Sequence, residues 1–200
     1  MPIYNRIADF HEDLVATRRD IHAHPELGFE EHRTSDLVAQ QLESWGIEVH
    51  RNIATTGVVG VLKGSGNSKR SIGLRADMDA LPMDEEGNPE HRSKNAGKMH
   101  ACGHDGHTTM LLGAARYLAE TRNFDGTVHF IFQPAEEGGG GGRVMVEEGL
   151  FDKFECDTVW GMHNSPNLPA GTLAIRPGPL MAAVDMAKIT INAQGCHAAQ

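Results

Sequence analysis

The chain has 200 residues, 40% of them hydrophobic and 22% charged, with 23 glycines; this is the composition of a globular chain that buries one sizeable core, and it argues against disorder or a fibre. Eighteen basic against 27 acidic residues leave a formal charge of -9, and no Lys/Arg block offers the patch that phosphate backbones require, which argues against nucleic acid. No apolar run approaches the ~18 residues of a membrane span, and residues 1–20 are amphipathic and charged rather than signal-like, so no membrane partner is expected.

In chain order, Ile7, Phe10, Leu14 and Ile21 recur at helical spacing, as do Leu37, Leu42 and Trp45, with Gly46 placed to stop the second helix. The first fifty residues therefore read as two helices. Residues 58–62 and 72–74 are short apolar runs around the turn-rich segment 64–68, which predicts a pair of strands; the second runs on into Arg75 through Pro82. Met110, Leu111, Ala114, Ala115 and Leu118 form a helical stripe directly after segment 102–107. Residues 127–132 read as a strand, ended by Pro134 and followed by Glu136, Glu137 and the glycines 138–142. A helix near 144–148 and a buried-type strand at 157–160, ending at Gly161-Met162-His163-Asn164, come next. Residues 189–191 open a further strand, read as the start of a second unit. Strands alternating with helices predict an α/β layer fold with a largely parallel sheet.

In such sheets ligands gather outside the carboxyl ends of the strands. Asp77 and Asp79 follow one strand, Glu136 and Glu137 another and His163 a third, while Cys102 and His104 open a helix in the same series. Segment 99–107, Met-His-Ala-Cys-Gly-His-Asp-Gly-His, packs thiolate, imidazole and carboxylate donors of the kinds that bind zinc-class cations. Alone it is equally a helix-entry loop with capping His and Asp and a buried Cys. Glu136-Glu137 alone reads as a solvated acidic turn, and His163 alone as a core histidine. The five glycines and the strand before the glutamates favour a ligand instead. Neighbouring side chains in extended backbone point opposite ways, so one glutamate is expected on a metal and the other toward water. Asp77 and Asp79, two apart, share a face and could orient a ligating imidazole from outside the metal's own ligand set, although turn capping is also open to them. His11, His32, His50 and His129 lack neighbouring donors and read as surface or packing residues; His22 and His24 read as structural, and Cys156 as buried. Cys102, Cys156 and Cys196 are odd in number and widely spaced, which argues against a disulfide framework and fits a reducing compartment, the cytoplasm.

These residues resemble the metal-dependent N-acyl-amino-acid amidohydrolases, the branch of the dinuclear zinc carboxypeptidase-like superfamily that includes hippurate hydrolase and auxin-conjugate hydrolases. The resemblance runs through residues 22–31, 75–81, 99–107, 132–138, 161–164 and 195–199, essentially the whole chain. It implies a three-layer catalytic domain over residues 1–185 and, from 186 to 200, the beginning of a smaller α+β lid or dimerisation domain. It further implies Cys102, His104, Glu137 and His163 as metal ligands, Glu136 as general base, and His197 as a lid histidine that helps stabilise the developing oxyanion. The resemblance also implies two divalent ions in the complete site, manganese or zinc with cobalt or nickel as alternatives, and a homodimer or homotetramer formed through the lid. Peptidase relatives carry Asp where this chain has Cys102, and relatives usually carry Gly or Ser where it has Cys196. The family's remaining His ligand is expected beyond Gln200.

The implied reaction is hydrolysis of the amide of a small N-acyl amino acid, with metal-activated water and Glu136 passing the proton to the leaving amine. Two rivals stand beside it. Cys102 could be a nucleophile activated by His104 or His107, or residues 1–200 could be a catalytically incomplete metal-binding fragment. A nucleobase deaminase is disfavoured because His24-Pro25-Glu26 mimics H-x-E but no Pro-Cys-x-x-Cys follows. No glycine-rich stretch forms a phosphate loop either.

Overall fold

A computed structural model describes residues 5–195, 197 and 199, so Cys196, like residues 1–4, lies outside the described residues. The chain divides into two compact units, residues 1–165 and 166–200. In the first, α1 (Asn5–Asp9) and α2 (His11–Ala23) are separated at Phe10. That ring is fully buried beneath the guanidinium groups of Arg6 and Arg116, 4.8 and 3.9 Å from its centroid. The helix α3 (His32–Ser44) buries Val38, Ala39 and Leu42 at helical spacing, and Gly46, at φ +70°, carries the chain out of it.

The strands are β1 (Glu48–Ile53), β2 (Gly57–Lys63), β3 (Ser71–Asp77), β4 (Thr127–Gln133) and β5 (Thr158–Gly161). They lie side by side in the order β1-β2-β4-β3-β5. Between β3 and β4 runs α4 (His104–Thr121); between β4 and β5 come α5 (Gly141–Glu147) and α6 (Leu150–Lys153). The strands β4, β3 and β5 are parallel, whereas β2 pairs antiparallel with β4 and β1 antiparallel with β2. The sheet is therefore mixed around a parallel core. The two strands expected to pair with each other, β2 and β3, are instead separated by β4.

Period-2 alternation sends Val58, Leu62, Val128, Phe130 and Phe132 to one face, under Leu42 of α3 and Leu112 of α4. Val59 and Ile131 point to the other, where they meet Met145, Leu150 and Phe154 of the α5–α6 region. Helices on both faces make the three layers of an α/β/α sandwich. The parallel strands end on one rim, since Asp77 lies opposite Gln133 and Arg75 opposite Gly161. Gly57, the first residue of antiparallel β2, reaches the same rim.

Residues 166–200 form a unit without helix or strand among the described residues. Its clearest feature is a turn in which Thr172 donates its N–H and hydroxyl to the Pro169 carbonyl, at 3.1 and 2.7 Å. Residues 189–191, expected as a strand, do not form one. No helix of the described residues is long and apolar enough to cross a membrane.

One polar tie runs between α2 and α4. The buried His22 ring lies between two carboxylates, with Nδ1 2.9 Å from Asp105 and Nε2 3.3 Å from Glu85. Arg18 adds a second donor to Asp105 at 3.1 Å. The hydrogen bond to Asp105 raises the His22 pKa against the effect of burial, with Glu85 adding to it. A raised imidazole pKa contributes stability that is complete below the unfolded value of about 6.5 and is lost as pH rises through the folded value. We predict that His22→Gln destabilises the protein by about 2 kcal/mol at pH 6. The gap between wild type and variant narrows by pH 9, which urea unfolding at the two pH values measures.

Candidate metal centre

The rim of the parallel strands is where the chemistry-bearing side chains meet. His104 enters through α4, whose N-cap, Gly103, sits at φ +89°. A side chain at Gly103 would also overlap the Asn164 amide, so both backbone conformation and space require glycine there. The His104 ring is fully buried, and its Nδ1 lies 3.2 Å from Asp79 Oδ1. Its Nε2 points to the opposite side, 3.7 Å from Glu137 Oε1 and 3.9 Å from Glu136 Oε2. Cys102 Sγ is 3.3 Å from Nε2 of His163, whose Nδ1 is 2.7 Å from the Asn164 carbonyl oxygen. The donor atoms of Cys102, His104 and His163 lie within 4.8 Å of one another, as do those of His104, Glu136 and Glu137. The two triplets share His104.

Asp79 joins these segments. It is buried; Oδ1 faces His104, and Oδ2 accepts the Glu137 backbone N–H at 2.9 Å. Burial opposes its negative charge, but the His104 contact and the N–H groups of Glu137 and Glu136 outweigh that and lower its pKa. Asp77 faces His107 rather than His104: Oδ1 is 2.6 Å from His107 Nδ1, Oδ2 accepts from Arg75 at 2.7 Å, and His104 Nε2 is 3.6 Å away. Burial would raise the Asp77 carboxyl, yet these partners hold it down to about 2.

The two glutamates do not sit in extended backbone. Residues 136–139 form a turn in which Gly138 donates its N–H to the Glu136 carbonyl at 2.8 Å. Both carboxylates consequently converge on His104 instead of pointing apart. The side chain of Glu137 is 21% exposed and that of Glu136 42%, so Glu136 occupies the wetter side. Glu31, whose role the sequence did not disclose, anchors this turn: its buried carboxylate accepts the N–H of Ala135 at 2.8 Å and the Thr56 hydroxyl at 2.5 Å. Ala135 is thereby held at φ +50° immediately before the glutamates. The tight part of the glycine run serves this packing, since a side chain at Gly139 or Gly141 would strike residues 134–135.

The remaining sequence candidates fall elsewhere. His197 belongs to the second unit, where its Nδ1 accepts the Ala199 N–H at 3.2 Å. His129, expected as surface or packing, is buried, and burial lowers its pKa. Cys156 is half-buried.

The donor set fits a divalent cation. His104 Nε2 and Glu137 Oε1 are buried without a hydrogen-bond partner, and His104 clusters with Cys102 and His163 on one side and with Glu136 and Glu137 on the other. Bond lengths of about 2.0–2.3 Å to a tetrahedral ion separate adjacent donors by roughly 3.3–3.8 Å, which matches the 3.3 and 3.7 Å seen here. Burial and the neighbouring Glu137, Glu136 and Asp77 charges push the Cys102 thiol up to about 12. A cation reverses that field and favours the thiolate.

Comparison with known proteins agrees with this geometry. The family described as Peptidase family M20/M25/M40 matches residues 73–199. Hippurate hydrolase of Campylobacter jejuni is 50% identical over 197 residues, covering 98% of this chain and 51% of that protein. IAA-amino acid hydrolase ILR1-like 4 of Arabidopsis thaliana is 48% identical over 192 residues, 96% of this chain and 43% of that one. The crystal structure of the Bacillus subtilis YXEP protein, described as a dinuclear metal binding peptidase, superposes with a TM-score of 0.81 at 43% identity, over 86% of this chain and 48% of that one. The chain spans about half the length of these relatives.

Asp79→Asn keeps the shape of the side chain and removes its charge, leaving Asp79's two partners less firmly oriented. Affinity for a divalent cation falls about 10–100-fold in equilibrium dialysis, and the apoprotein's unfolding midpoint falls as well, because the amide offers one acceptor oxygen to two buried partners.

Proposed function

The chain belongs to the peptidase family M20/M25/M40, and on that footing we propose that it supplies the metal-binding part of an amidohydrolase that splits N-acyl amino acids into a carboxylic acid and a free amino acid. One observation carries the proposal: Cys102, His104 and His163 converge on one point, and Glu136 and Glu137 meet the same His104. The names of the two relatives, hippurate hydrolase and IAA-amino acid hydrolase, support a small N-acyl amino acid as substrate.

In this reading Cys102, His104, Glu137 and His163 hold the metal. A divalent cation bound there supplies Lewis acidity, lowering the pKa of water from 15.7 toward about 7 and polarising a carbonyl oxygen. Glu136, on the wetter side, takes the proton of the attacking water on its carboxylate and delivers it to the leaving nitrogen, so that the amine departs neutral. Asp79 keeps His104 and the Glu136–Glu137 turn in mutual register while this proton moves. The complete site takes two ions. The Cys102 thiolate suits zinc, and the carboxylates also suit manganese; cobalt or nickel can substitute. The cytoplasm keeps such a thiol reduced. Residues from 186 onward begin a lid or dimerisation domain that brings His197 to the developing oxyanion and joins subunits into a homodimer or homotetramer.

The thiol-nucleophile reading is weakened by the field around Cys102, which opposes thiolate formation unless a cation is present. Two measurements test the assignment in an enzyme carrying this chain. Glu136→Gln retains metal by elemental analysis and lowers kcat about 10²–10⁴-fold. Exhaustive chelation abolishes hydrolysis of hippurate-like substrates, and added manganese or zinc restores it; activity that survives chelation but dies on thiol alkylation would overturn the metal mechanism.

A further inference from the structure

Among Cys102, His104, Glu137 and His163, the exposed residue is His163. It follows β5, an exposed strand whose last pairing is Gly161 with Arg75, and its neighbours Trp160 and Met162 are each 56% exposed. The fixed point nearby is the next residue. Asn164 engages Nε2 of His107 in one of two mutually exclusive ways: a protonated Nε2 donates to its side-chain amide oxygen at 2.6 Å, or an unprotonated Nε2 accepts its backbone N–H at 3.1 Å. His107 is buried, and its Nδ1 donates to Asp77 Oδ1 at 2.6 Å. Arg75 pins the other oxygen of Asp77. The His107 and His163 rings are in edge contact, with centroids 4.7 Å apart.

From this chain of contacts we propose that His107 is a positioning residue that latches Asn164 to the end of β3 and so fixes His163 in the orientation a cation requires. The inference rests on the metal-centre reading. His104 and His107 are three apart on one helix face, and Asp79 and Asp77 are two apart on one strand face. The rim thus holds two parallel Asp–His pairs. Asp79–His104 offers a free Nε2 to the metal, whereas Asp77–His107 spends its Nε2 on Asn164. His107 also lies within 4.8 Å of His104 and Asp77 in a triplet that could in principle hold an ion. Both of its nitrogens and both Asp77 oxygens are already engaged, which makes it a latch and not a ligand.

The test is a Co²⁺ titration of the 200-residue chain, read by the d–d bands and the thiolate-to-cobalt charge-transfer band, for wild type, His107→Gln, Asn164→Ala and the double variant. Each single variant weakens Co²⁺ binding about 10–100-fold. Saturating stoichiometry and the thiolate band are retained, the d–d bands shift, and the double variant loses little more than either single one. Unchanged affinity and spectrum, or fully additive losses, overturn the latch. Loss of a metal equivalent in His107→Gln overturns it in favour of direct ligation. If His107→Gln does not fold, Asn164→Ala decides alone: unchanged Co²⁺ affinity and spectrum overturn the latch. A wild-type chain that binds no Co²⁺ fails the metal centre itself, an outcome distinct from all of these.

Discussion

A single buried carboxylate, Asp79, holds the functional rim together. Its two oxygens reach α4 through His104 and the turn after β4 through Glu137. A buried charge is tolerable only when its partners compensate it, so the contacts that orient the donors also make the carboxylate's burial possible. Orientation of the metal-facing groups and folding of the rim are therefore one physical event. The same logic recurs at Glu31, which meets the Thr56 hydroxyl and the Ala135 N–H with no solvent exposure.

The apolar framework was readable because its signals are local and periodic. The stripe from Met110 to Leu118 announced α4, and Gly46 its stop after α3. The donors at the ends of β3, β4 and β5 were readable for a related reason: in parallel sheets the carboxyl ends lie on one rim, so separate motifs must meet there. Strand neighbours were not readable. The parallel pairing of β3 with β4 spans the whole of α4, and nothing in segment 64–68 shows that β4 inserts between β2 and β3. The strand β1 escaped notice because Glu48, His50, Arg51 and Asn52 lie on an edge where polar residues cost nothing.

The site's finer geometry was hidden for a different reason. A Glu-Glu pair after a strand suggests alternating directions, but Glu31, more than a hundred residues earlier in the chain, bends the backbone at Ala135 and turns both carboxylates the same way. His107 shows the converse. The sequence offered it a role only as a base beside Cys102 in the thiol-nucleophile rival, and its partners, Asp77 and Asn164, reveal that its ring nitrogens are already committed. Residue type shows what a side chain can do; long-range contacts decide which of those options remains.

The three-residue spacing of His104 and His107 sets a limit on how this rim can vary over time. Each residue added to a helix turns everything beyond it by about 100° and advances it by 1.5 Å. An insertion or deletion between the two imidazoles would therefore swing one of them away from its aspartate, and no adjustment of rotamers could recover it. Chain length in this turn is frozen even where side-chain identity is free. The bend at residues 64–68 lies at the other end of the strands, tied to residues 122–126 by backbone hydrogen bonds, so a change of length there costs its own local contacts and leaves the spacing of the imidazoles untouched.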